Sequence, residues 1–345
     1  VVNSLPDIGW KPIFAQQVSL HNPDWVPARV TVVQRTGLRV MPPIAGVEEI
    51  ALGGRWFQGS PEDRPTVGDW VLVDPATGSL QAVLERSTLI KRLSPAGDVQ
   101  LIAANIDTAF LVTSCNADFN VARLERYLSA VLEADIQPVV VLTKSDLVED
   151  TYAQIDAVRA LDASLPVESV NALDRQTLEG LLAWCVSGQS IALLGSSGVG
   201  KSTLVNSLAG EELQATQSIR DDDAKGRHTT THRSLHQLPS GAVILDSPGM
   251  REFQITDVED GVSTLFADIE SLALTCRFND CGHQAEPGCA VRAALESGSL
   301  DERRLESYFK LQREDRYNTE TIAQRHARSR QFGKMVRAHT KKKRH

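Results

Sequence analysis

Gly195-Ser196-Ser197-Gly198-Val199-Gly200-Lys201-Ser202 has the residue types and spacing to hold a polyphosphate. It fits GxxxxGK[ST], with an apolar strand expected over Ile191–Leu194 before it and a helical run over Thr203–Leu208 after it. The glycines permit a turn tight enough to aim successive N–H groups at phosphate oxygens, and the helix N-terminus adds the positive end of its dipole. Lys201 is placed to reach the β- and γ-phosphates, and the Ser202 hydroxyl to ligate Mg²⁺.

A second constellation addresses the base. Thr143-Lys144-Ser145-Asp146 follows the continuous apolar run Val139–Leu142, which reads as a parallel strand buried on both faces. An Asp just past a strand end can accept two hydrogen bonds, from guanine N1–H and its exocyclic amine. Adenine offers no matching donors, so the same carboxylate would be desolvated and unpaired. Ser169-Val170-Asn171, further along, is a candidate for wrapping the base with backbone amides. Asp246-Ser247-Pro248-Gly249 follows an expected strand over Ala242–Leu245. There Asp246 would hold Mg²⁺ through water and the Gly249 N–H would sense the γ-phosphate. Gly226-Arg227-His228-Thr229-Thr230-Thr231 lies between loop and Asp246; a threonine among Thr229–Thr231, with Thr230 the choice, would complete the metal shell.

Cys276-x4-Cys281-x-His283-x5-Cys289 is a different chemistry. Three thiols and an imidazole form a standard closed tetrahedral shell for Zn²⁺, and the turns at Gly282 and Gly288 give the backbone room to wrap one ion. With all four positions filled, that zinc would be structural.

The order of the nucleotide motifs is reversed. Ordinary GTPases run phosphate loop, switch threonine, DxxG, base motif; here TKSD precedes the loop. This arrangement resembles the circularly permuted GTPases, and within them the RsgA (YjeQ) family of small-ribosomal-subunit assembly GTPases. The resemblance rests on Leu101–Asp107, TKSD, GSSGVGKST (Gly195–Thr203), GRHTTTHR, DSPGMREF and the cysteine cluster, and covers the chain from about Val30 onward. It implies a GTP hydrolase that binds GTP and GDP with Mg²⁺ and one Zn²⁺. It further implies docking on the small subunit and its rRNA in the GTP state, with hydrolysis stimulated there, in company with other assembly factors. The expected protein is a cytoplasmic monomer without membrane contact.

The elements positioning these residues divide into four segments. Residues 1–29 form an arm with apolar anchors Leu5, Ile8, Trp10, Ile13 and Phe14. Residues 30–92 hold five short alternating strands, expected over Ala28–Gln34, Leu38–Met41, Glu48–Leu52, Asp69–Val73 and Gln81–Leu84. Spacing alone leaves an OB-type and an SH3-like barrel open; the resemblance, including Thr66–Val71, selects an RNA-binding OB fold. Residues 93–260 alternate strands with helices around Val121–Ala134 and Ala153–Leu161, which predicts a mostly parallel sheet in a three-layer α/β domain. Residues 261–345 are helical around the zinc ligands, with Ser299 and Glu302 at capping-box spacing ahead of a helix to Tyr317, and end in a basic tail. The fold class is therefore an OB-type barrel, a permuted P-loop α/β domain and a helical zinc domain.

Composition agrees. The 345 residues are 42% hydrophobic and 23% charged, with no apolar stretch near the ~20 residues of a membrane span. Three of five cysteines sit in one cluster, a metal-site pattern of a reducing compartment rather than a disulfide framework. Net charge is −8, yet 321–345 carries nine Lys/Arg and no Asp/Glu. The remainder holds 27 basic against 44 acidic residues, −17, so a polyanion contact belongs at one end.

Hydrolysis has a gap at one position. Where many GTPases carry a water-orienting Gln after DxxG, Met250 stands. Lys201, Mg²⁺ and loop amides still neutralise phosphate charge, while His228 is the local candidate for positioning water, ahead of His232 and Arg233. Gly198 occupies the loop position where potassium-activated GTPases have Asn, so potassium dependence is not expected. Two other readings stand beside the GTPase: a nucleotide-switched RNA-binding adaptor without significant turnover, and a metabolic P-loop kinase or ATPase, which leaves TKSD unexplained.

Overall fold

The computed structural model describes residues 4–34, 37–94, 97–116, 118–210, 233–246 and 254–319. A short helix, α1 (Pro12–Val18), precedes five strands: β1 (Val26–Val33), β2 (Gly37–Met41), β3 (Ile50–Ala51), β4 (Trp70–Asp74) and β5 (Ser79–Val83). Their neighbour order is β1-β2-β3-β5-β4, and β4 pairs back on β1, closing the barrel. This Greek-key closure is that of an OB barrel. Alternate residues Ala28 and Val30, Val71 and Val73, fill its interior with Leu38, Ile50 and Leu80.

Arg29, between two interior residues, points out of the barrel but not into water. Its guanidinium is fully buried. It donates to Ser190 Oγ at 2.7 Å, to the Asn105 carbonyl at 2.8 Å, and to the carbonyls of Gly68 and Ile8. Burial lowers its pKa to about 10, with the charges of Asp107 and Asp69 opposing. The arm is thus a wedge: Ile8 and Phe14 are buried, and Trp10 meets Trp70 edge-on at 4.6 Å. Gly68 has φ +92°, and a Cβ there would stand 2.1 Å from the Ala104 carbonyl, so only glycine fits this joint.

An unforeseen antiparallel hairpin, β6 (Leu89–Leu93) and β7 (Val99–Ala104), links barrel to α/β unit. Then come β8 (Thr108–Ser114), α2 (Val121–Glu133), β9 (Gln137–Thr143), α3 (Tyr152–Arg159), β10 (Val167–Ser169), α4 (Glu179–Leu182), β11 (Ser190–Leu194), α5 (Lys201–Ala209), β12 (Ser234–Gln237) and β13 (Val243–Asp246). The order β10-β9-β8-β11-β13 is parallel throughout. β12 is antiparallel to β13 and joins the barrel through Val32 opposite Ser234.

Both sheet faces are covered, which is why the strands read as unbroken apolar runs. Phe110, Val112, Val139, Val141, Ile191 and Leu193 pack with Leu204 and Leu208 of α5. Leu111, Val140, Leu142, Ala192 and Leu194 face α2 and a C-terminal bundle of α6 (Glu259–Leu265), α7 (Ala267–Ala273), α8 (Ala290–Glu296) and a helical stretch over 302–319. That last helix starts differently from expectation. Asp301, not Ser299, caps it, accepting from the Arg304 N–H at 3.1 Å. Ser299 instead closes the preceding helix through the Ala294 carbonyl. Among the described residues no helix is long and apolar enough to cross a membrane.

Candidate nucleotide and metal sites

The phosphate loop occupies the turn between β11 and α5, at the carboxyl edge of the sheet. Gly195 lies against β8; a Cβ there would meet the Val112 carbonyl at 2.3 Å. The Lys201 ammonium is buried under the loop and donates to the carbonyls of Gly195 at 2.9 Å and Ser196 at 2.7 Å. Ser197 and Gly198 are exposed at the tip, Val199 is buried, and Gly200, Ser202 and Thr203 are partly covered. Ser196 Oγ donates to Asp118 at 3.0 Å, and Asp118 pairs with Arg123 at 3.1 Å. Sequence reasoning passed over Asp118, although a polar stretch after a buried strand marks the edge where such sheets bind ligands.

The base motif is physically bolted to this loop. Thr143, fully buried at the end of β9, donates its hydroxyl to the Val199 carbonyl at 2.5 Å, with the Thr113 carbonyl 3.1 Å away. Lys144 takes a left-handed conformation, φ 58°, and its ammonium donates to the Gly198 carbonyl at 2.8 Å. That twist turns Ser145 and Asp146 out of the strand line into a short 3₁₀ turn, Ser145–Leu147, with the Asp146 carboxylate exposed. Ser169 and its neighbours arrive alongside: the Val170 N–H donates to Leu142 at 2.8 Å and the Ser145 N–H to Val170 at 3.3 Å. Cys115 sits in the same corner. Burial raises its thiol pKa; a hydrogen bond to Ser169 opposes and the Asp146 charge adds to the rise.

The backbone of Asp246 ends β13, beside β11 in the register Ala192–Leu245, so it emerges at the same edge as the loop. His228, Thr229–Thr231, His232, Gly249, Met250 and the basic tail lie outside the described residues. Arg233 does not face the loop; it donates to the Leu101 carbonyl on β7 at 3.1 Å.

Cys276, Cys281, His283 and Cys289 converge, their ligand atoms all within 4.8 Å of one another. A tetrahedral shell with metal–sulfur bonds of about 2.3 Å has S···S edges of about 3.8 Å and S···N edges of about 3.6 Å. Cys276 and Cys289 sulfurs stand 3.9 Å apart, and His283 Nδ1 lies 3.6 and 3.5 Å from them. The residues fit zinc. Backbone N–H groups of Ala290 and Arg292 donate to the Cys276 and Cys289 sulfurs at 3.3 and 3.4 Å, contacts that would stabilise both as thiolates. The Glu286 carboxylate shapes the loop, accepting from the N–H groups of Gly282, Gln284 and Ala285.

Against known proteins, a family model described as RsgA GTPase matches residues 83–256. The chain is 49% identical over 338 residues to a protein of Vibrio parahaemolyticus named small ribosomal subunit biogenesis GTPase RsgA 2, covering 97% of this chain and 92% of that one. It is 47% identical to the Mesorhizobium japonicum small ribosomal subunit biogenesis GTPase RsgA, over 92% and 91% of the two chains. The solved structure of YjeQ from Thermotoga maritima superposes with TM-score 0.57 at 25% identity, over 83% of this chain and 97% of that one. YloQ, described as a circularly permuted GTPase, shares the fold with TM-score 0.57 at 24% identity, over 87% and 98%.

Proposed function

From the premise that this chain belongs to the RsgA GTPase family, we propose that it hydrolyses GTP in the maturation of the small ribosomal subunit. It docks on the immature subunit in the GTP state and leaves after hydrolysis. The observation that carries the nucleotide part is the pair of braces from Thr143 and Lys144 to the carbonyls of Val199 and Gly198. They hold a guanine-reading turn at fixed distance from a phosphate loop, across a permuted chain order. Asp146 reads the base, the 169–171 segment backs it, and residues 195–203 with Lys201 cradle the phosphates. Ser202, a threonine of the 229–231 run and Asp246 through water complete the Mg²⁺ shell. Zn²⁺ is held by Cys276, Cys281, His283 and Cys289, closed and structural.

The arm, barrel, GTPase and zinc segments divide near residues 29, 92 and 260, and the protein acts as a cytoplasmic monomer, with other assembly factors on the same subunit. Support for the partner is the name of relatives aligned over nearly the whole chain, barrel and zinc cluster included. Hydrolysis of GTP and ATP, with and without purified small subunits, tests the reading. Stimulated, guanine-selective turnover supports it. Nucleotide-dependent subunit binding without turnover would transfer the protein to the adaptor class, and equal use of ATP to the kinase or ATPase class.

A further inference from the structure

An open pocket of about 230 Å³ lies where barrel, β6–β7 hairpin and the entry to β12 meet. Arg64 and Thr66 line it from the barrel side, Gln100 and Leu101 from β7, and Arg233 from the entry to β12. Arg233 holds one Nη against the Leu101 carbonyl. Among the side chains described, which do not include that of Asp246, no carboxylate pairs with Arg233 or Arg64; every ion pair there uses other cations. Burial lowers the Arg233 pKa to about 10, and the charge of Arg92 pushes the same way. Arg92 itself meets Gln100 Oε1 at 3.1 Å, just behind the cavity wall. A desolvated guanidinium among like charges is costly, and an arriving anion removes that cost.

The site is separate from the phosphate loop. Ser234 pairs with Asp246, which places Arg233 two strands from β11, roughly 10 Å at ordinary strand spacing. Arg64 is exposed at the mouth and lies over the Phe57 ring, 5.8 Å from its centroid, so the cavity opens to a chain running past rather than enclosing a small ion. Two planar forks from opposite walls suit the non-bridging oxygens of a phosphate.

The geometry points to a second phosphate pocket, in which Arg64 and Arg233 grip one backbone phosphodiester of an RNA strand lying along the seam between barrel and nucleotide sheet. The choice of RNA as the source of that phosphate rests on the ribosome-assembly reading; the pocket's anion chemistry does not. Arg233 is also the last residue of the Gly226–Arg233 motif, so a phosphate bound there is held at the end of the switch sequence.

The test uses the full chain saturated with GDP, an unstructured RNA oligonucleotide as one probe and inorganic phosphate as the other. Anisotropy across a salt series should show Arg233→Gln and Arg64→Gln each weakening RNA binding about three- to tenfold and flattening the salt slope by about one. GDP affinity of Arg64→Gln should be unchanged, and the far-ultraviolet circular dichroism of both variants reports the fold. Arg233→Lys should lie between, keeping charge and losing the fork. If both substitutions leave RNA binding intact but abolish thermal stabilisation by millimolar phosphate, the pocket stands and its ligand is free phosphate. If neither RNA binding nor phosphate stabilisation responds, the pocket is overturned, whatever the outcome of the GTPase assay.

Discussion

The hydroxyl of Thr143 donates to the carbonyl of Val199, joining the strand that carries the TKSD turn to the GxxxxGKS loop. The two residues are 56 positions apart and in reversed chain order relative to ordinary GTPases, yet the contact is local in space. Lys144 adds a second brace one residue along, to Gly198. A nucleotide site needs base and phosphate subsites at fixed separation, and these two bonds fix it without any covalent adjacency. These two contacts do not depend on chain order, because they are made by side chains at a strand end.

Thr143→Val keeps shape and removes the donor. The Val199 carbonyl then loses its partner in a buried place, an effect of about 1–2 kcal/mol. GDP affinity should fall about five- to thirtyfold in calorimetric titration, with the far-ultraviolet circular dichroism unchanged. Unaltered affinity would show that the brace is incidental.

Asp146→Asn should weaken GTP by about 2–3 kcal/mol, because charged hydrogen bonds to two guanine donors are lost. The amide offers a donor where the carboxylate had none, so xanthosine triphosphate, with a carbonyl in place of the guanine amine, should gain affinity. A wild-type protein that binds ATP and GTP equally removes the assignment.

Phosphate loop, base motif and metal cluster were legible because each is a short run whose chemistry sits at the end of a recognisable element. Val139–Leu142 and Ile191–Leu194 read as buried strands, so the residues just after each were expected at a sheet edge. Four of the barrel strands were readable from alternation nearly to their ends, whereas the third, expected over Glu48–Leu52, pairs only through Ile50–Ala51. Other features carry no local signal. Arg29 contacts Ser190 across 161 positions, and nothing near either residue announces it. The β6–β7 hairpin was missed because its pattern does not alternate cleanly: one side packs into the main core and Lys91 reaches Glu62 and Asp257. Ser299 and Asp301 both look like caps, and only the path of the preceding helix decides between them.

One zinc per chain is expected by elemental analysis, and Cys281→Ser should lose it. The sheet does not keep a private core on this side: buried residues run without a break from α2 to Tyr308 and Leu311. Loss of metal should therefore unfold 276–289 first while the helices on α2 remain, anchored by Arg303–Glu125 at 3.1 Å and Arg126–Glu314 at 2.6 Å. Nucleotide binding should survive. Normal zinc content in Cys281→Ser would refute the ligand set.

Glu286 adds a pH signature to the same loop. Its own amide and those of Gly282, Ala285 and Gln284 hold its carboxyl down to about 2, from an ordinary 4.5. A depressed folded value means the contribution is complete above the unfolded pKa and is lost as pH falls from about 4.5 toward 2. Glu286→Gln should loosen the loop at neutral pH, raising hydrogen exchange of the Gly282, Gln284 and Ala285 amides. Exchange that matches wild type would mean the carboxylate is not what shapes the turn.

Activation by the partner should run through the exit of the DSPG motif. The isolated protein should hydrolyse GTP slowly, because Met250 cannot orient water. Small subunits should accelerate it by ordering the 226–233 switch and bringing His228 toward the water. The structure supplies a path for that influence. Just past the motif, Gln254 bridges to Leu93 on the hairpin; Asn318 donates to the Ile255 carbonyl at 2.7 Å, and Asp315 accepts from the Val258 N–H at 3.0 Å. A surface pressing on the helical stretch over 302–319 would act on the chain just past that motif. Asn318→Ala should lower subunit-stimulated turnover severalfold and leave the basal rate alone. Subunit binding should favour a GTP analogue over GDP, since the γ-phosphate orders the switch, and should weaken steeply with salt. Deleting 321–345, with its nine basic residues, should reduce affinity and flatten the salt slope while GTP affinity stays constant. Subunits that leave the rate unchanged, with binding indifferent to the nucleotide, would move the protein from enzyme to adaptor.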